Sequence, residues 1–410
     1  MLFANTRATR TLYPAELRSI MSMAKAEESR EWLSTWSGIN PGATPLYSLA
    51  GLAKELGVGQ ILLKDESIRS ELGSFKALGA PIALVRLILR LWHNEKLDPK
   101  ALFSGTYASL LKRFTVISAT DGNHGKGLAA AAKSLGCRCV IVLHANVSPE
   151  REEAIAAFGA EIVRISGNYD ASVEEAARLA SDNGWHVVSD TSYEGYEEIP
   201  RDVMQGYGTI AAEINEALTD SGTSVTHVFL QGGVGGLAAG IISYLWEARS
   251  DKRPVVVVVE PEQADCLLQS AIVGKAAKAT GTVDSVMAGL ACGEASPLAW
   301  RFLQPTAEFF MTIKDVDAVD AMRVLAKGNA TDTPVLAGES GVAGLSGLTQ
   351  LMRNPALARQ VGLNSDSRVL VINTEGATAP SVYEELVGES AENVLFRQKK
   401  FLDRQPLRLA

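Results

Sequence analysis

The sequence predicts an α/β protein of two domains, each built on a mostly parallel sheet that is flanked by helices. Short apolar strands alternate with helical patterns along the chain, and the strands are continuous apolar runs. Glycine-rich turns follow several of these strands. Because the chain has 410 residues, more than one compact core usually holds, a division into two domains is expected.

The predicted elements follow one another as strand, helix and strand over most of the chain. No internal repeat interrupts this alternation, and one predicted helix carries proline in its first turn. Strands are predicted at 61–64, 116–117, 139–143, 161–165, 185–188, 225–231, 254–259 and 368–372. Helices are predicted at 75–91, 125–135, 149–158 and 171–182.

Composition and charge exclude several classes of protein. The formal net charge of −8 argues against nucleic acid as the main partner. The most apolar run, PVVVVVE at 254–260, is far too short to span a bilayer, and arginines interrupt the N-terminal segment where a signal peptide needs an apolar stretch. Four cysteines in a chain of this length do not make a disulfide scaffold. We expect a cytoplasmic protein without a membrane partner, and we assign no metal site.

Lys76 is the first candidate functional residue. It ends the stretch ILLKDESIRSELGSFK, in which a strand leads through a polar loop into a helix that begins near Ser74. Taken alone, a lysine is most often a solvated surface residue. The helix dipole disfavours a cation in the first turn, however, and an amine whose charged form is disfavoured suits Schiff-base formation.

The second candidate is the turn in SATDGNHGKG, which joins a strand to an alanine-rich helix. Turns of this kind bind anions at a helix N-terminus, yet the acidic residue Asp121 stands directly before Gly122. Asp121 or Asn123 fits equally well as a cap of the following helix. Asn123 can also hydrogen-bond a ligand, whereas His124 fits better as a packing residue of the turn than as an acid or base.

Two later strand ends complete the set of candidates. The glycines of QGGVGG at 231–236 let successive N–H groups face one phosphate, although close packing also explains them. This turn has neither the dinucleotide-binding setting nor the Lys-Ser/Thr pair of a P-loop. The second strand end is NTEG at 373–376, where Thr374 is either an ordinary turn residue or a neutral hydroxyl that faces a ligand.

Taken together and in this order, the four stretches resemble the fold type II pyridoxal-phosphate enzymes, the group of tryptophan synthase β and threonine dehydratase. The resemblance runs from about Thr44 to the end of the sequence. More narrowly, longer strings resemble the diaminopropionate ammonia-lyase family. These strings are DESIRSELGSFK, TDGNHGKG, DTSYEGYEEIPRDVMQGYGT, VVVEPEQADC, MAGLACGEASPLAW, GESGVAGL and NTEG.

The resemblance implies pyridoxal 5′-phosphate as the cofactor, bound in a cleft between the two domains, and a homodimer. It also implies a small domain at about 77–195 and a large cofactor-binding domain formed by 1–76 and 196–410. Lys76 would bind the cofactor as a Schiff base. The other implied cofactor contacts are Phe75 on the ring, Asn123 on the phenolic oxygen, Gly232, Gly233, Val234, Gly235 and Gly236 on the phosphate, and Thr374, with Asn373 as a register-shifted rival, at the pyridine nitrogen.

The implied reaction is the α,β-elimination of ammonia from 2,3-diaminopropionate, which gives aminoacrylate and then pyruvate with a second ammonia. Lys76 would take the Cα proton of the L-isomer, and Asp121 would take that of the D-isomer from the opposite face. Capping of the helix remains the alternative role for Asp121. The substrate contacts would be the backbone N–H groups of Thr120, Asp121, Gly122 and His124 on the carboxylate, with Asp121 and Asp190 on the β-ammonium.

Three departures from the family pattern leave the substrate open. The string TEGATA carries Ala377 and Ala379 where two acids are expected, ELGS stands where GLNA is expected before Phe75, and Tyr193 replaces a usual tryptophan. A serine or threonine dehydratase, or a lyase with another leaving group, is therefore the alternative enzyme. A catalytically inactive binding or regulatory protein is the alternative from another class, and the intact Lys76, Asn123 and GGVGG argue against it.

Cys266 and Cys292 lie in two of the strings that carry the resemblance. A reversible disulfide near the active site is one interpretation of this pair. The other is a pair of buried thiols, which a cytosolic environment favours.

Overall fold

The computed structural model describes residues 1–120, 122–145 and 147–404, and these form two compact units. Each unit draws on separate stretches of the chain, because the chain leaves the first unit and returns to it. The first unit comprises Met1–Met23, Ala43–Ile68 and the chain from Ile210 onward, and the second comprises Ala24–Gly42 and Arg69–Thr209.

The bounds of these units differ from the predicted domain bounds in three places. The segments 24–42, 69–76 and 196–209 all lie in the second unit. Lys76 therefore belongs to the same compact unit as Asp190. The predicted division into a small and a large domain stays a prediction.

Strands and helices alternate through both units, as the pattern of apolar runs predicts. A 3-10 helix at Phe75–Leu78 precedes the fourth α-helix. The strands are β1 (Leu2–Ala4), β2 (Leu46–Ser48), β3 (Gln60–Asp65), β4 (Thr115–Ala119), β5 (Arg138–Leu143), β6 (Glu161–Arg164), β7 (His186–Val187), β8 (His227–Gln231), β9 (Val255–Pro261), β10 (Phe309–Ile313) and β11 (Arg368–Asn373). The α-helices are α1 (Ala15–Ile20), α2 (Met23–Leu33), α3 (Ala50–Leu56), α4 (Gly79–Leu91), α5 (Pro99–Phe103), α6 (Ala108–Leu111), α7 (Asn123–Leu135), α8 (Pro149–Ala156), α9 (Tyr169–Asn183), α10 (Glu198–Asp220), α11 (Gly236–Arg249), α12 (Cys266–Val273), α13 (Pro297–Leu303), α14 (Asp315–Lys327), α15 (Ala343–Met352), α16 (Pro355–Val361), α17 (Pro380–Val387) and α18 (Ala391–Arg404).

The first unit is built on a seven-stranded sheet in the order β1-β10-β9-β8-β11-β3-β2. The five central strands are parallel, whereas the short edge strands β1 and β2 pair antiparallel with their neighbours. Every residue of β8 is buried, which explains the apolar run Val228, Phe229 and Leu230 at its centre. Because parallel strands end at the same edge of a sheet, the residues that follow β3, β8, β9 and β11 lie along one edge.

The second unit is built on a four-stranded parallel sheet in the order β6-β5-β4-β7. Its core contains Ile117 of β4, Val140 and Val142 of β5, and two alanines of α9. The helix that follows β4 is α7, whose small residues let it pack closely on its neighbours. This sheet orders the strand-to-helix turn in which Asn123 lies.

All the strands predicted from the sequence are present, with small shifts at their ends. The structure adds β1, β2 and β10, which the sequence analysis did not predict. It also places Lys76 on a 3-10 helix, so the α-helix predicted from near Ser74 begins only at Gly79. Within the described ranges, no helix is both long enough and apolar enough to cross a membrane.

A buried ion pair joins β3 to the second half of α10 in the first unit. The amine of Lys64 donates to the carboxylate of Glu213 at 2.5 Å and to the carbonyl oxygen of Thr44 at 2.7 Å. The backbone N–H of Thr44 also donates to Glu213, at 3.1 Å. Both charged side chains are only 2% exposed, so water does not solvate either charge.

We expect Lys64→Met to lower the free energy of unfolding by about 3–5 kcal/mol, because the substitution removes a buried, hydrogen-bonded cation from the Glu213 carboxylate. Urea denaturation followed by circular dichroism measures the change. The double variant Lys64→Met/Glu213→Leu should recover most of the loss, since two apolar side chains replace the pair.

The matched control for this prediction is Lys54→Met, since Lys54 is an exposed lysine of α3. A surface substitution of this kind should change the free energy of unfolding by no more than about 0.5 kcal/mol. Equal effects of the two single variants would contradict a stabilising role for the buried pair.

Candidate active site

The backbone that carries Lys76 is fixed by two glycines of the second unit. A Cβ at Gly206 of α10 would lie 2.2 Å from the carbonyl oxygen of Leu78. A Cβ at Gly127 of α7 would lie 3.0 Å from the carbonyl oxygen of Lys76. Only glycine permits these approaches, so α7 and α10 both pack directly against the 3-10 helix. This contact explains the glycine in the string MQGY, which the sequence alone did not explain.

The amine of Lys76 forms an ion pair with the carboxylate of Asp190. Both side chains are partly exposed, and the amine lies 5.2 Å from the ring centroid of Phe75 and 5.7 Å from that of Tyr207. The two aromatic rings pack against each other with their centroids 4.7 Å apart. Aromatic faces at these distances attract a cation, so the ammonium has favourable contacts besides the carboxylate.

The Asp190 carboxyl remains ionised in this setting. Burial alone would raise its pKa, but the charge of Lys76 and its hydrogen bond outweigh burial and hold the pKa of Asp190 well below its usual range. Burial also raises the pKa of the neighbouring Tyr207 phenol, to about 12, so this hydroxyl stays protonated. The pair at neutral pH is therefore an ammonium and a carboxylate beside a neutral phenol.

Two side chains hold the loop that carries Asp190. The Tyr196 hydroxyl donates to the carbonyl oxygen of Val187 at 3.0 Å and accepts from the N–H of Ser189 at 2.9 Å. His124 Nε2 lies 2.9 Å from the carbonyl oxygen of Val188. Consecutive residues of the loop are thus bonded to His124 of α7 and to Tyr196 further along the same segment, and the position of Asp190 follows from these contacts.

The protonation of His124 follows from the same contact. A carbonyl oxygen can only accept, so Nε2 must carry a hydrogen. Burial lowers the pKa of His124, which favours the neutral ring and leaves Nδ1 without a proton. Nδ1 lies 4.0 Å from the Asp190 carboxylate, beyond hydrogen-bond distance.

The turn before α7 contains the other predicted residues of this unit. Gly122 occupies the capping position, so Asn123 is the first residue of the helix rather than its cap. A Cβ at Gly122 would meet no atom of the described residues within 4 Å, which leaves space above the turn. Thr120 packs its methyl group toward Gly125. Asp121, the predicted second base, lies outside the described residues.

The glycine turn at 232–236 in the first unit has its carbonyl groups bonded to the protein. The carbonyl oxygen of Gly232 accepts from the N–H of Gly235 at 3.1 Å, and that of Val234 accepts from Ser296 at 2.9 Å. The carbonyl oxygen of Gly233 accepts from the thiol of Cys266 at 3.3 Å. Gly233 and Gly235 have φ angles of 60° and 99°, a region that favours glycine.

Two N–H groups of this turn, those of Gly232 and Gly235, donate to backbone carbonyl groups. Within the described ranges, no hydrogen bond takes the N–H groups of Gly233, Val234 or Gly236. These donors lie at the start of α11, where the helix dipole adds positive potential. Three donors on one turn at a helix N-terminus make a cradle for a phosphate, so the residues present fit a phosphate-bearing cofactor.

The end of β11 distinguishes Thr374 from its rival. Both amide hydrogens of Asn373 are used, by Asp65 Oδ1 and by the carbonyl oxygen of Leu336, each at 2.9 Å. Val371 pairs with Phe229 of β8, and the continuation of this register brings Thr374 level with Gly232. The amide hydrogens of Asn373 are therefore bonded within the sheet edge, and Thr374 is the better candidate to face a ligand.

Cys266 and Cys292 are both thiols rather than a disulfide. Both lie near Gly233, since a Cβ there would be 3.7 Å from Cys292 Sγ. Burial raises the pKa of Cys266, which makes its thiolate unfavourable. Within the described ranges, no group of three or more His, Cys, Asp or Glu residues could hold a metal ion.

Comparison with known proteins gives the class. The family model described as "Pyridoxal-phosphate dependent enzyme" matches residues 39–375, and the chain belongs to this family. The predicted fold type and cofactor are thereby confirmed. The sequence analysis missed Tyr207, Tyr196 and the buried Glu260, although MQGY and VVVEPEQADC are among the strings that carried the resemblance.

Within this family, the chain is similar over nearly its whole length to diaminopropionate ammonia-lyases. One from Escherichia coli (strain K12) is 38% identical over 391 residues, which are 94% of this chain and 97% of the relative. One from Salmonella typhimurium is 39% identical over 363 residues, which are 86% of this chain and 90% of the relative. The crystal structure of the Escherichia coli enzyme in complex with an aminoacrylate-PLP azomethine reaction intermediate has a TM-score of 0.84 at 37% identity, and covers 94% of this chain and 96% of that one.

The depressed pKa of Asp190 leads to a prediction about stability. In the cofactor-depleted protein, the pair with Lys76 stabilises the fold fully above the unfolded carboxyl pKa of about 3.9. This contribution is lost as the pH falls through the lower folded pKa. Asp190→Asn should therefore lower the melting temperature at neutral pH, and the difference from the unsubstituted protein should shrink in acid.

Thermal unfolding over the acid range in which the protein stays folded measures this difference. Glu153→Gln is the matched control in the same unit, because Glu153 is exposed. It should leave the melting temperature unchanged at every pH. A loss for Asp190→Asn that does not vary with pH would mean that the ion pair is not its cause.

Proposed function

We propose that the chain catalyses the α,β-elimination of ammonia from 2,3-diaminopropionate. The elimination gives aminoacrylate and one ammonia, and hydrolysis of the aminoacrylate gives pyruvate and the second ammonia. The observation that carries this proposal is the ion pair of Lys76 with Asp190. An enzyme that removes a neutral hydroxyl group does not need an ionised carboxylate beside its lysine. An enzyme whose substrate carries a second ammonium group does need one, to bind that charge.

The proposal assigns the cofactor contacts residue by residue. Lys76 would bind the cofactor covalently, with Phe75 beside it and Asn123 as a hydrogen-bond donor. The N–H groups of Gly233, Val234 and Gly236 would bind the phosphate, since those of Gly232 and Gly235 donate to carbonyl groups of the protein. Thr374 would face the ring nitrogen, in preference to Asn373, whose amide hydrogens have other acceptors.

When it is bound, the cofactor supplies an electron sink for removal of the Cα proton, and a neutral hydroxyl at its ring nitrogen favours simple elimination. The amine of Lys76 takes this proton from the L-isomer. Asp190 then has its carboxylate available, because the lysine that neutralised it has moved to Cα. The β-ammonium of the substrate takes the place of the lysine as the counter-ion of Asp190.

The substrate carboxylate binds on the turn formed by Thr120, Gly122 and His124, where the space above Gly122 supports the proposal. Asp121, which precedes Gly122 in the sequence, would share the β-ammonium with Asp190. Asp121 also takes the Cα proton of the D-isomer, because a base on each face is needed to accept both isomers.

Lys76→Ala should lose the covalent cofactor and its visible absorbance, and the rate of pyruvate release should fall at least about a thousandfold. The absorbance spectrum of the purified protein and a coupled pyruvate assay measure the two effects. Lys133→Ala is the control, since Lys133 is an exposed residue of α7. A Lys76→Ala variant that keeps both absorbance and activity would rule out the assignment.

The proposed function is tested by pyruvate release from L- and D-2,3-diaminopropionate, with L-serine and L-threonine beside them. We expect turnover of both diaminopropionate isomers. Asp121→Asn should reduce turnover of the D-isomer far more than that of the L-isomer, because Lys76 still serves the L-isomer. Asp190→Asn should reduce turnover of both.

Two outcomes of this assay would contradict the proposal. Turnover of serine or threonine alone would make the chain a hydroxy-amino-acid dehydratase. Equal losses for both isomers in Asp121→Asn would remove Asp121 as the second base. A homodimer and a cytoplasmic location remain expectations from the family resemblance, and light scattering of the purified protein tests the first.

A further inference from the structure

Glu260 is a buried carboxylic acid that the proposed mechanism does not use. It belongs to β9 in the first unit and is fully buried. Its two carboxyl oxygens accept from the N–H groups of Leu267 at 2.9 Å and of Leu268 at 2.8 Å. Both donors belong to the first turn of α12. The side chain thus joins the end of a central strand to the start of a helix.

The same side chain fills the space against the glycine turn. A Cβ at Gly232 would lie only 2.4 Å from Glu260 Cγ. The Glu260 side chain therefore occupies the space that a side chain at position 232 would need. The N–H of Gly232 donates to the carbonyl oxygen of Val259 at 2.8 Å, which holds the two backbones side by side. Cys266 adds a second link, because its thiol donates to Gly233 and lies 3.7 Å from Glu260 Oε1.

We propose that Glu260 is a positioning residue of the phosphate turn, which it ties to α12, and that it carries a proton when a phosphate is bound there. The proposal rests on the proposed function, because it takes the turn at 232–236 as the phosphate site. Glu260 acts through Gly232 and does not itself touch the cofactor.

The charges around Glu260 give the reason for the proton. Burial raises the pKa of Glu260 to about 8, even though the two N–H donors of α12 lower it. Among the other groups that face the carboxyl, the charge of Asp265 at the cap of α12 raises the pKa of Glu260, and the hydrogen bond from the Cys266 thiol lowers it by less than burial raises it. Cys292 is a thiol. The turn itself has no titratable side chain. A phosphate on the turn brings further negative charge and raises the pKa again.

The sign of the pH dependence follows from linkage. The phosphate binds preferentially to the form in which Glu260 is protonated, so binding is strongest below the pKa of about 8. As the pH rises through that value, Glu260 in the cofactor-depleted protein ionises, and binding must then recover a proton. The affinity for a phosphate-bearing ligand therefore falls above this pH.

The experiment titrates the cofactor-depleted protein and Glu260→Gln with pyridoxal 5′-phosphate at a series of pH values, by protein fluorescence. A glutamine cannot ionise, and its NH₂ group faces an N–H donor of α12. Glu260→Gln should therefore bind more weakly near neutral pH. The dissociation constant of Glu260→Gln divided by that of the unsubstituted protein should then fall about threefold or more between pH 7 and pH 9. Only the unsubstituted protein loses affinity through ionisation of Glu260.

Two controls separate this effect from other titrations. Pyridoxal, which lacks the phosphate, shares the Schiff-base chemistry of Lys76, and its binding should lack the additional loss above the pKa of Glu260. Glu262→Gln is the matched variant, since Glu262 is exposed two residues further along the chain. It should follow the unsubstituted protein at every pH. If Glu260→Gln does not fold, the comparison of the two ligands on the unsubstituted protein decides.

The outcomes distinguish this inference from the proposed function. Parallel pH profiles for the unsubstituted protein and Glu260→Gln would overturn the inference about Glu260 and leave the proposed function standing. A purely structural defect weakens binding equally at every pH. Equal pH profiles for pyridoxal and its phosphate would also overturn it. Failure of the unsubstituted protein to bind pyridoxal 5′-phosphate at all would overturn the proposed function, and this inference with it.

Discussion

The parallel alignment of the five central strands is the constraint on which the first unit depends. Because these strands end at one edge, the polar residues that end them become neighbours. The amide of Gln231, at the end of β8, donates to the carbonyl oxygens of Ile372 at 2.6 Å and Gly341 at 2.8 Å. The edge is therefore a bonded layer of polar groups above an apolar core. The glycine turn and Thr374 both begin from this layer, so their positions follow from the sheet.

The buried carboxyls of the two units show how a partner decides the charge of an acid. Burial raises the pKa of Asp65 to about 6, although Asn373 and Ser67 donate hydrogen bonds to it. It raises that of Glu260 to about 8 in the presence of two backbone donors. Asp190 has a lysine beside it, and its pKa falls instead. Neutral donors soften the cost of burial, whereas a full positive charge reverses it.

Four of the five central strands, β3, β8, β9 and β11, could be predicted from the sequence because burial makes the middle of each an apolar run. The fifth, β10, was not predicted, although its sequence FFMTI is also mostly apolar. The edge strands β1 and β2 have three residues each, too few to show a strand pattern, so local sequence does not reveal them. The 3-10 helix that carries Lys76 could not be predicted either. Its geometry comes from the contacts of Gly127 and Gly206, which lie far away along the chain.

Prediction of the candidate site was likewise limited to residues that local sequence reveals. Lys76 and the glycine turn lie in strings that are recognisable by themselves, so a linear sequence is enough to find them. Tyr196, Tyr207 and Glu260 act through contacts with residues distant in sequence. An isolated glutamate at the end of an apolar strand was a signal, since an acid is seldom buried without reason. The chemistry of that signal required the structure.

The loop that carries Asp190 has a further consequence. Tyr196 and His124 hold its backbone by bonds to Val187, Val188 and Ser189, and none of these bonds involves the Asp190 side chain. The scaffold of the loop and the group that it presents are therefore separate features of the sequence. Evolution can exchange residue 190 for a neutral or larger side chain while the loop keeps its shape. Relatives that eliminate different leaving groups can in this way arise by single substitutions on an inherited frame.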